Sequence, residues 1–296
     1  MNETSRPDPE RPQASSPRAS PMRRLQRRWR PRRRPRFKGL SFNRILPNLL
    51  TMAGLCVGLT SMRFALDGRF GSAAAAITVA AIIDGLDGRL ARLLKVTSRF
   101  GAEFDSLSDF LCFGVAPGFV LYLWSLQKFG GYGYAPCVIF AVCVALRLAR
   151  FNAALEGAPR PAYAYNFFTG VPAPAGAGLV LFPLFLGLEA RALGWDWLLA
   201  VAQNAAFCAI VLIGTALLCV SSLPVWSFKN FKIPVQFVLP MLVGTGLYVT
   251  LLIADPWAAL AAGGLLYLGM LPFSIRSFRR LRNEAEALPP TDEPQT

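Results

Sequence analysis

The chain of 296 residues is 54 % hydrophobic and 16 % charged, against about 25 % charged in a typical soluble domain, so its composition points to a membrane protein. Histidine is absent, which excludes Ser-His-Asp and Cys-His nucleophiles, histidine-ligated metals and histidine phosphotransfer, and leaves acid–base work to Asp, Glu, Lys, Tyr or Cys. The six cysteines (Cys56, Cys112, Cys137, Cys143, Cys208 and Cys219) lie in apolar stretches without CxxC or paired Cys/His spacing, which argues against disulfides or a zinc site.

The net charge of +14 is concentrated at the start of the chain, where residues 1–44 hold 14 of the 31 Lys+Arg and three acids, Glu3, Asp8 and Glu10. Residues 1–40 are rich in Pro, Ser and Arg and lack an apolar period, so they are predicted to be a disordered cytoplasmic tail. A signal peptide is not expected, because the first apolar run starts too late and is too long. No folded nucleic-acid module follows the basic run RRLQRRWRPRRRPRFK, so no nucleic-acid partner is expected. Anionic membrane lipids are the nearer partner, at about 1 kcal/mol per basic residue close to the surface. A topology signal with a solvated tail is an equal reading.

Long apolar runs follow at about 47–66, 72–94, 106–127, 131–149, 167–188, 197–220, 235–254 and 256–273. Each approaches or exceeds the ~20 residues that a bilayer-crossing helix needs. The predicted fold is an all-α integral membrane protein, a polytopic bundle of about eight transmembrane helices over residues 41–275, with a short tail at 276–296. The last two runs are separated only by Asp255-Pro256, a candidate tight hairpin.

Loop charge orients the bundle. With the N-terminus inside, one face receives the tail, then Arg89, Arg92, Lys95, Arg99, Arg147, Arg150, Arg160, Lys229, Lys232, Arg276, Arg279, Arg280 and Arg282. The other keeps only Arg63, Arg69, Lys128 and Arg191. This asymmetry follows the positive-inside rule and predicts both termini in the cytoplasm.

At the cytoplasmic end of the second and third runs stand four acids, Asp84, Asp87, Asp105 and Asp109. A carboxylate within a span costs about 2.5–3.5 kcal/mol on insertion scales and so needs a partner or a function. Asp84 and Asp87 are spaced i, i+3 and Asp105 and Asp109 i, i+4, which puts each pair on one helix face. Two such faces turned together make a four-carboxylate cage that cations can neutralise. Between the pairs, Gly88 forgoes about 1 kcal/mol of helix propensity and leaves room for a ligand to approach the backbone, while Arg92 offers a fork suited to phosphate oxygens. Hard divalent cations, carboxylates and a phosphate-bearing substrate form a known catalytic assembly. The competing readings are aspartates paired with Arg89, Arg92 and Arg99, or an ion or proton pathway in a transporter.

Residues 84–109 read D-x2-D-G-x2-A-R-x8-G-x3-D-x3-D, filled by Asp84, Asp87, Gly88, Ala91, Arg92, Gly101, Asp105 and Asp109. This resembles the signature of the CDP-alcohol phosphatidyltransferase family. The resemblance implies an integral membrane enzyme, often a homodimer, that moves a phosphatidyl group from a CDP-linked lipid to an alcohol and releases CMP. It implies that Asp84, Asp87, Asp105 and Asp109 hold two divalent ions, Mg2+ or Mn2+, with Asp109 also the general base. It further implies that Gly88, Arg92 and Ser98 contact the CDP moiety. Pro47-Asn48-Leu49-Leu50-Thr51 resembles the family segment whose Asn and Thr face the nucleotide, here Asn48 and Thr51.

Further along, FGVAP (113–117), LRLARFN (146–152), GVPAP (170–174) and VSSLPVWSFK (220–229) resemble the phosphatidylserine synthases of this fold. That likeness covers roughly residues 40–235. It implies CDP-diacylglycerol and L-serine as substrates and a bacterial inner membrane with the site on its cytoplasmic side. Arg147, Arg150, Asn152 and Lys229 are candidates to hold a serine carboxylate or a lipid phosphate, or are cations that obey the positive-inside rule or snorkel. Inositol, glycerol 3-phosphate and choline stay open as acceptors, and Trp124, Tyr163, Tyr165 and Trp226 are aromatics that a choline cage can use.

Overall fold

The computed structural model describes residues 42–96, 98–155, 167–226, 236 and 238–286. The basic tail at 1–40, Arg160, Tyr163, Tyr165 and Lys229 lie outside them. Helix α1 (Phe42–Leu66) turns sharply into α2 (Phe70–Leu93), and α3 (Arg99–Asp109) runs through a π-helical turn (Phe110–Val115) into α4 (Ala116–Trp124). A 3-10 segment (Leu126–Tyr134) leads into α5 (Ala135–Leu155). Strand β1 (Phe167–Thr169) precedes α6 (Ala173–Val180), α7 (Phe182–Leu193), α8 (Asp196–Ala202) and α9 (Ala205–Val220). Strand β2 (Pro224–Trp226) precedes α10 (Val238–Ala254) and α11 (Pro256–Glu286).

This is a helical membrane protein. Among the described residues, five continuous helical stretches are long and apolar enough to cross a bilayer, or seven if each of two bent pairs makes one crossing. The predicted straight spans at 167–188 and 197–220 are these bent pairs, broken by 43° between α6 and α7 and by 51° between α8 and α9. Pro183 supplies no N–H for the carbonyl of Leu179, which ends α6. At the second break, Asn204 caps a new helix by accepting the Phe207 N–H at 3.1 Å. Helix α10 has 17 residues and falls short of the ~20 that a crossing needs. The last predicted run ends at 273, but α11 continues to Glu286, so residues 276–286 of the expected tail are helical.

Lipid is as apolar as leucine, so the helices associate through close packing and polar contacts rather than through hydrophobic exclusion. Helix α2 presents Ala73, Ala74, Ala76, Ile77 and Ala80 as a buried stripe of mostly small residues. Continued at the same i, i+3, i+4 spacing, the stripe reaches Asp84 and Asp87, so the packing face leads to the acids. On α1, a Cβ at Gly58 would overlap the Cys112 sulfur, and one at Gly54 would lie 3.1 Å from the Ile83 side chain. Glycine at these positions brings α1 close to α2 and to the π-turn.

The π-turn has a local cause. Pro117 cannot donate to the Phe113 carbonyl, and the turn before it widens so that the Ala116 N–H reaches Leu111, five residues back. The extra residue shifts the helical phase by about 100° between α3 and α4. The aspartates of α3 and the buried Val120 and Leu121 of α4 thereby each meet their own neighbours.

Polar contacts close the bundle at both ends. At the end remote from the four aspartates, Trp124 Nε1 donates to Ala202 O at 3.2 Å, and Ser125 Oγ and Lys128 Nζ both donate to Gln203 O. At the other end, β1 and β2 pair antiparallel with Phe168 opposite Val225. Arg150 donates to Ser221 O at 3.1 Å and Ser274 to Pro224 O at 2.7 Å, which ties α5 and α11 to this ribbon. Gly170 follows β1 with φ +76°, and a Cβ there would lie 2.6 Å from the Cys219 carbonyl oxygen, so only glycine makes this turn.

Candidate active site

The four aspartates converge from two helices at the ribbon end of the bundle. Asp84 on α2 and Asp105 and Asp109 on α3 each place a carboxylate oxygen within 4.8 Å of the others, and all three residues are partly buried. Asp87, one turn beyond Asp84, is 3 % exposed and accepts a 2.7 Å hydrogen bond from Thr51 Oγ1 on α1. Carboxylates packed this closely repel one another, and a cation or protons must offset that repulsion. The candidate ligand group is carboxylates alone, hard oxygen donors that suit Mg2+, Mn2+ or Ca2+ rather than a soft metal.

Beside the acids lies a cavity of about 500 Å3 lined by Asn48, Thr51, Asp87, Gly88, Arg92, Ser98, Gly101 and Asp105, among others. Helix phase brings these residues together. Asn48 and Thr51 are i, i+3 on α1, and Asp87, Gly88 and Ala91 share one face of α2. All five predicted CDP contacts (Asn48, Thr51, Gly88, Arg92 and Ser98) line this one cavity. A Cβ on Gly88 meets nothing within 4 Å, so the glycine faces open space. A Cβ on Gly101 would instead come within 2.9 Å of Asn48 Oδ1, so that glycine lets α3 approach α1.

The loop between α2 and α3 is built from local hydrogen bonds. Val96 N–H bonds Ala91 O and Lys95 N–H bonds Arg92 O, a Schellman closure of α2 with Lys95 in the left-handed region at φ +53°. Ser98 then caps α3, its hydroxyl oxygen accepting the Gly101 N–H at 3.0 Å. This capping role went unread in the sequence, although Ser directly before a helical run is its ordinary signal. Arg92 folds back along α2, donating from Nε to Gly88 O at 2.9 Å.

The candidate acceptor residues divide. Asn152 on α5 donates from Nδ2 to Ser106 Oγ at 3.0 Å, next to Asp105, and Phe151 lines the cavity. Arg147 is within electrostatic reach of Asp109, whereas Arg150 is engaged with the Ser221 carbonyl. Lys229 lies outside the described residues. Ser106 went unnoticed because nothing in a helical repeat links it to a residue 46 positions away.

The chain resembles known proteins over most of its length. Residues 44–205 match the family model described as CDP-alcohol phosphatidyltransferase, and residues 236–272 that described as CDP-alcohol phosphatidyltransferase 2. A protein of Mycobacterium leprae named CDP-diacylglycerol–serine O-phosphatidyltransferase is 39 % identical over 254 residues, covering 86 % of this chain and 82 % of its own. Proteins of the same name from Mycobacterium tuberculosis and Helicobacter pylori are 37 % and 34 % identical. The first match covers 82 % of both chains, and the second covers 76 % of this chain and 88 % of the relative.

Proposed function

Since the chain belongs to the CDP-alcohol phosphatidyltransferase family, we propose that it transfers the phosphatidyl group of CDP-diacylglycerol to the hydroxyl of L-serine, giving phosphatidylserine and CMP. The observation that carries this reading is the meeting of Asp84, Asp105 and Asp109 at the edge of a cavity lined by Asp87, Gly88, Arg92 and Thr51. The name borne by the relatives supports serine as the acceptor.

In this reading the CDP head occupies the cavity, with its pyrophosphate toward the aspartates and Arg92 and with Gly88 giving it room. Asp84, Asp87, Asp105 and Asp109 would hold two divalent cations, Mg2+ or Mn2+, which would supply Lewis-acid polarisation of the phosphoryl group. Thr51 holds the Asp87 carboxylate in place through its 2.7 Å hydrogen bond. Asp109 takes the proton from the serine hydroxyl as that oxygen attacks the phosphorus bearing diacylglycerol. The new P–O bond joins serine to the phosphatidyl group, and the bond to the bridging oxygen of CMP breaks. The acyl chains stay in the bilayer. The aspartates sit on the cytoplasmic face of the bacterial inner membrane, where the basic surface attracts anionic lipids, and the enzyme is a homodimer.

The decisive measurement offers CDP-diacylglycerol to the purified enzyme with serine, inositol, glycerol 3-phosphate or choline in turn and follows CMP release. CMP is expected with serine and only when both substrates are present. Release with another alcohol and none with serine overturns the acceptor assignment, and ion-driven flux in proteoliposomes without CMP release overturns the transferase reading. A second expectation concerns Gly88. Gly88→Leu fills the cavity and is expected to weaken CMP binding by tenfold or more in titration calorimetry. Thermal stability is expected to hold or rise, because glycine costs an exposed helix about 1 kcal/mol relative to better helix formers.

A further inference from the structure

Two buried polar groups, one of them near Asp109, lack partners among the described residues. The Nε of Arg147 and the hydroxyl of Tyr267 are sealed from solvent, and neither meets a hydrogen-bond partner among the described residues. Arg147 stands on the face of α5 that also buries Phe140, Val144 and Leu148, and Tyr267 comes from α11, 120 positions later. The two lie within electrostatic reach of each other and of Cys219, and Arg147 also of Asp109. A buried donor left unmade costs about 1–3 kcal/mol, and more when it is charged. Such a cost persists where a ligand removes it. The ring of Tyr267 packs in the wall of an apolar cavity of about 290 Å3 with Thr78 and Tyr248, so the ring is held independently of its hydroxyl.

We propose that Arg147 and Tyr267 bind the carboxylate of the acceptor amino acid beside Asp109, and that this pair selects serine among small alcohols. A guanidinium and a phenol are donors suited to a carboxylate, and both are positioned away from the cavity assigned to the nucleotide. The nearness of Arg147 to Asp109, with Tyr267 beside Arg147, puts the carboxylate of a bound serine within a few bonds of the hydroxyl that must lose its proton. An aromatic cage for a quaternary ammonium needs no such donors. The inference rests on the reading of serine as acceptor.

The test uses the full-length enzyme in detergent with saturating Mn2+, measuring the KM for L-serine and for CDP-diacylglycerol separately. Loss of a hydrogen bond to a charged group corresponds to roughly a tenfold or greater change. Tyr267→Phe and Arg147→Gln are each expected to raise the serine KM by about tenfold or more, with partial recovery in Arg147→Lys. The KM for CDP-diacylglycerol is expected to stay within about twofold. A serine KM that does not move in the two variants overturns the proposal, as does a rise in the CDP-diacylglycerol KM instead, which assigns the pair to a lipid phosphate. Should Arg147→Gln fail to fold, the wild type still decides. L-Serinamide, which lacks the carboxylate, is expected to compete with serine at least tenfold more weakly, and equal competition overturns the proposal. Wild-type enzyme that turns over another alcohol but not serine overturns the acceptor reading itself. Serine turnover with unmoved KM values overturns only the pair.

Discussion

Asp109→Asn is expected to lower kcat by about 10^3, within the 10^2–10^4 range that a positioned general base contributes. Asparagine keeps the size of the side chain and its place at the end of α3, but its amide cannot take up a proton. The loss is therefore expected in kcat, with the KM for CDP-diacylglycerol changed little, because Asp109 does not line the nucleotide cavity. Asp109 also belongs to the three-carboxylate cluster, so the comparison is made at saturating Mn2+, where a weakened cation site stays filled. A variant within fivefold of wild type under those conditions removes Asp109 from the role of base.

Removal of divalent cations by chelation and dialysis is expected to abolish CMP release, by more than a hundredfold, and Mg2+ or Mn2+ to restore it. A second readout does not depend on turnover. A cation that binds only the folded state stabilises it by about 2.7 kcal/mol at one hundred times its dissociation constant. Added Mn2+ is thus expected to raise the melting temperature of the wild-type protein by several degrees. In an Asp84→Asn/Asp105→Asn double variant the rise is expected to vanish, while the apo protein melts no lower than wild-type apo protein, since two repelling charges have gone. An equal Mn2+ shift in both proteins means that the cation binds elsewhere.

Much of the candidate site was legible because its spacing is local. Asp84 and Asp87, then Asp105 and Asp109, sit at helical intervals, and helix geometry alone puts each pair on one face. Asn48 and Thr51 were legible only through the resemblance, and their i, i+3 spacing on α1 then puts both on one face. Ser98 was read through the resemblance as a nucleotide contact, and the structure adds the capping bond to Gly101 that the residue's chemistry favours. Arg147, Arg150 and Asn152 were grouped by proximity in sequence, yet the structure gives them different partners, because adjacent positions on a helix point about 100° apart.

Hydropathy located the apolar runs, and the two bends follow from residues in plain view, Pro183 and Asn204. Their effect as breaks of 43° and 51° was not predicted, because a proline or a cap residue inside an apolar run is also compatible with a kinked single helix.

The sequence by itself determined the membrane class, the approximate place of the apolar runs, the aspartate motif and the family, since each is written in composition or in spacing within one or two helices. Tertiary structure alone decided which faces meet: that Thr51 reaches Asp87 across α1 and α2, that Asn152 bonds Ser106, and that Tyr267 comes to lie near Arg147. The reason is the solvent. In water a polar face marks the outside of a helix, but in lipid the packed face and the exposed face are both apolar. Helix α10, with Leu239, Leu242, Val243 and Leu247 exposed and no buried residue, reads in sequence like any helix of the core.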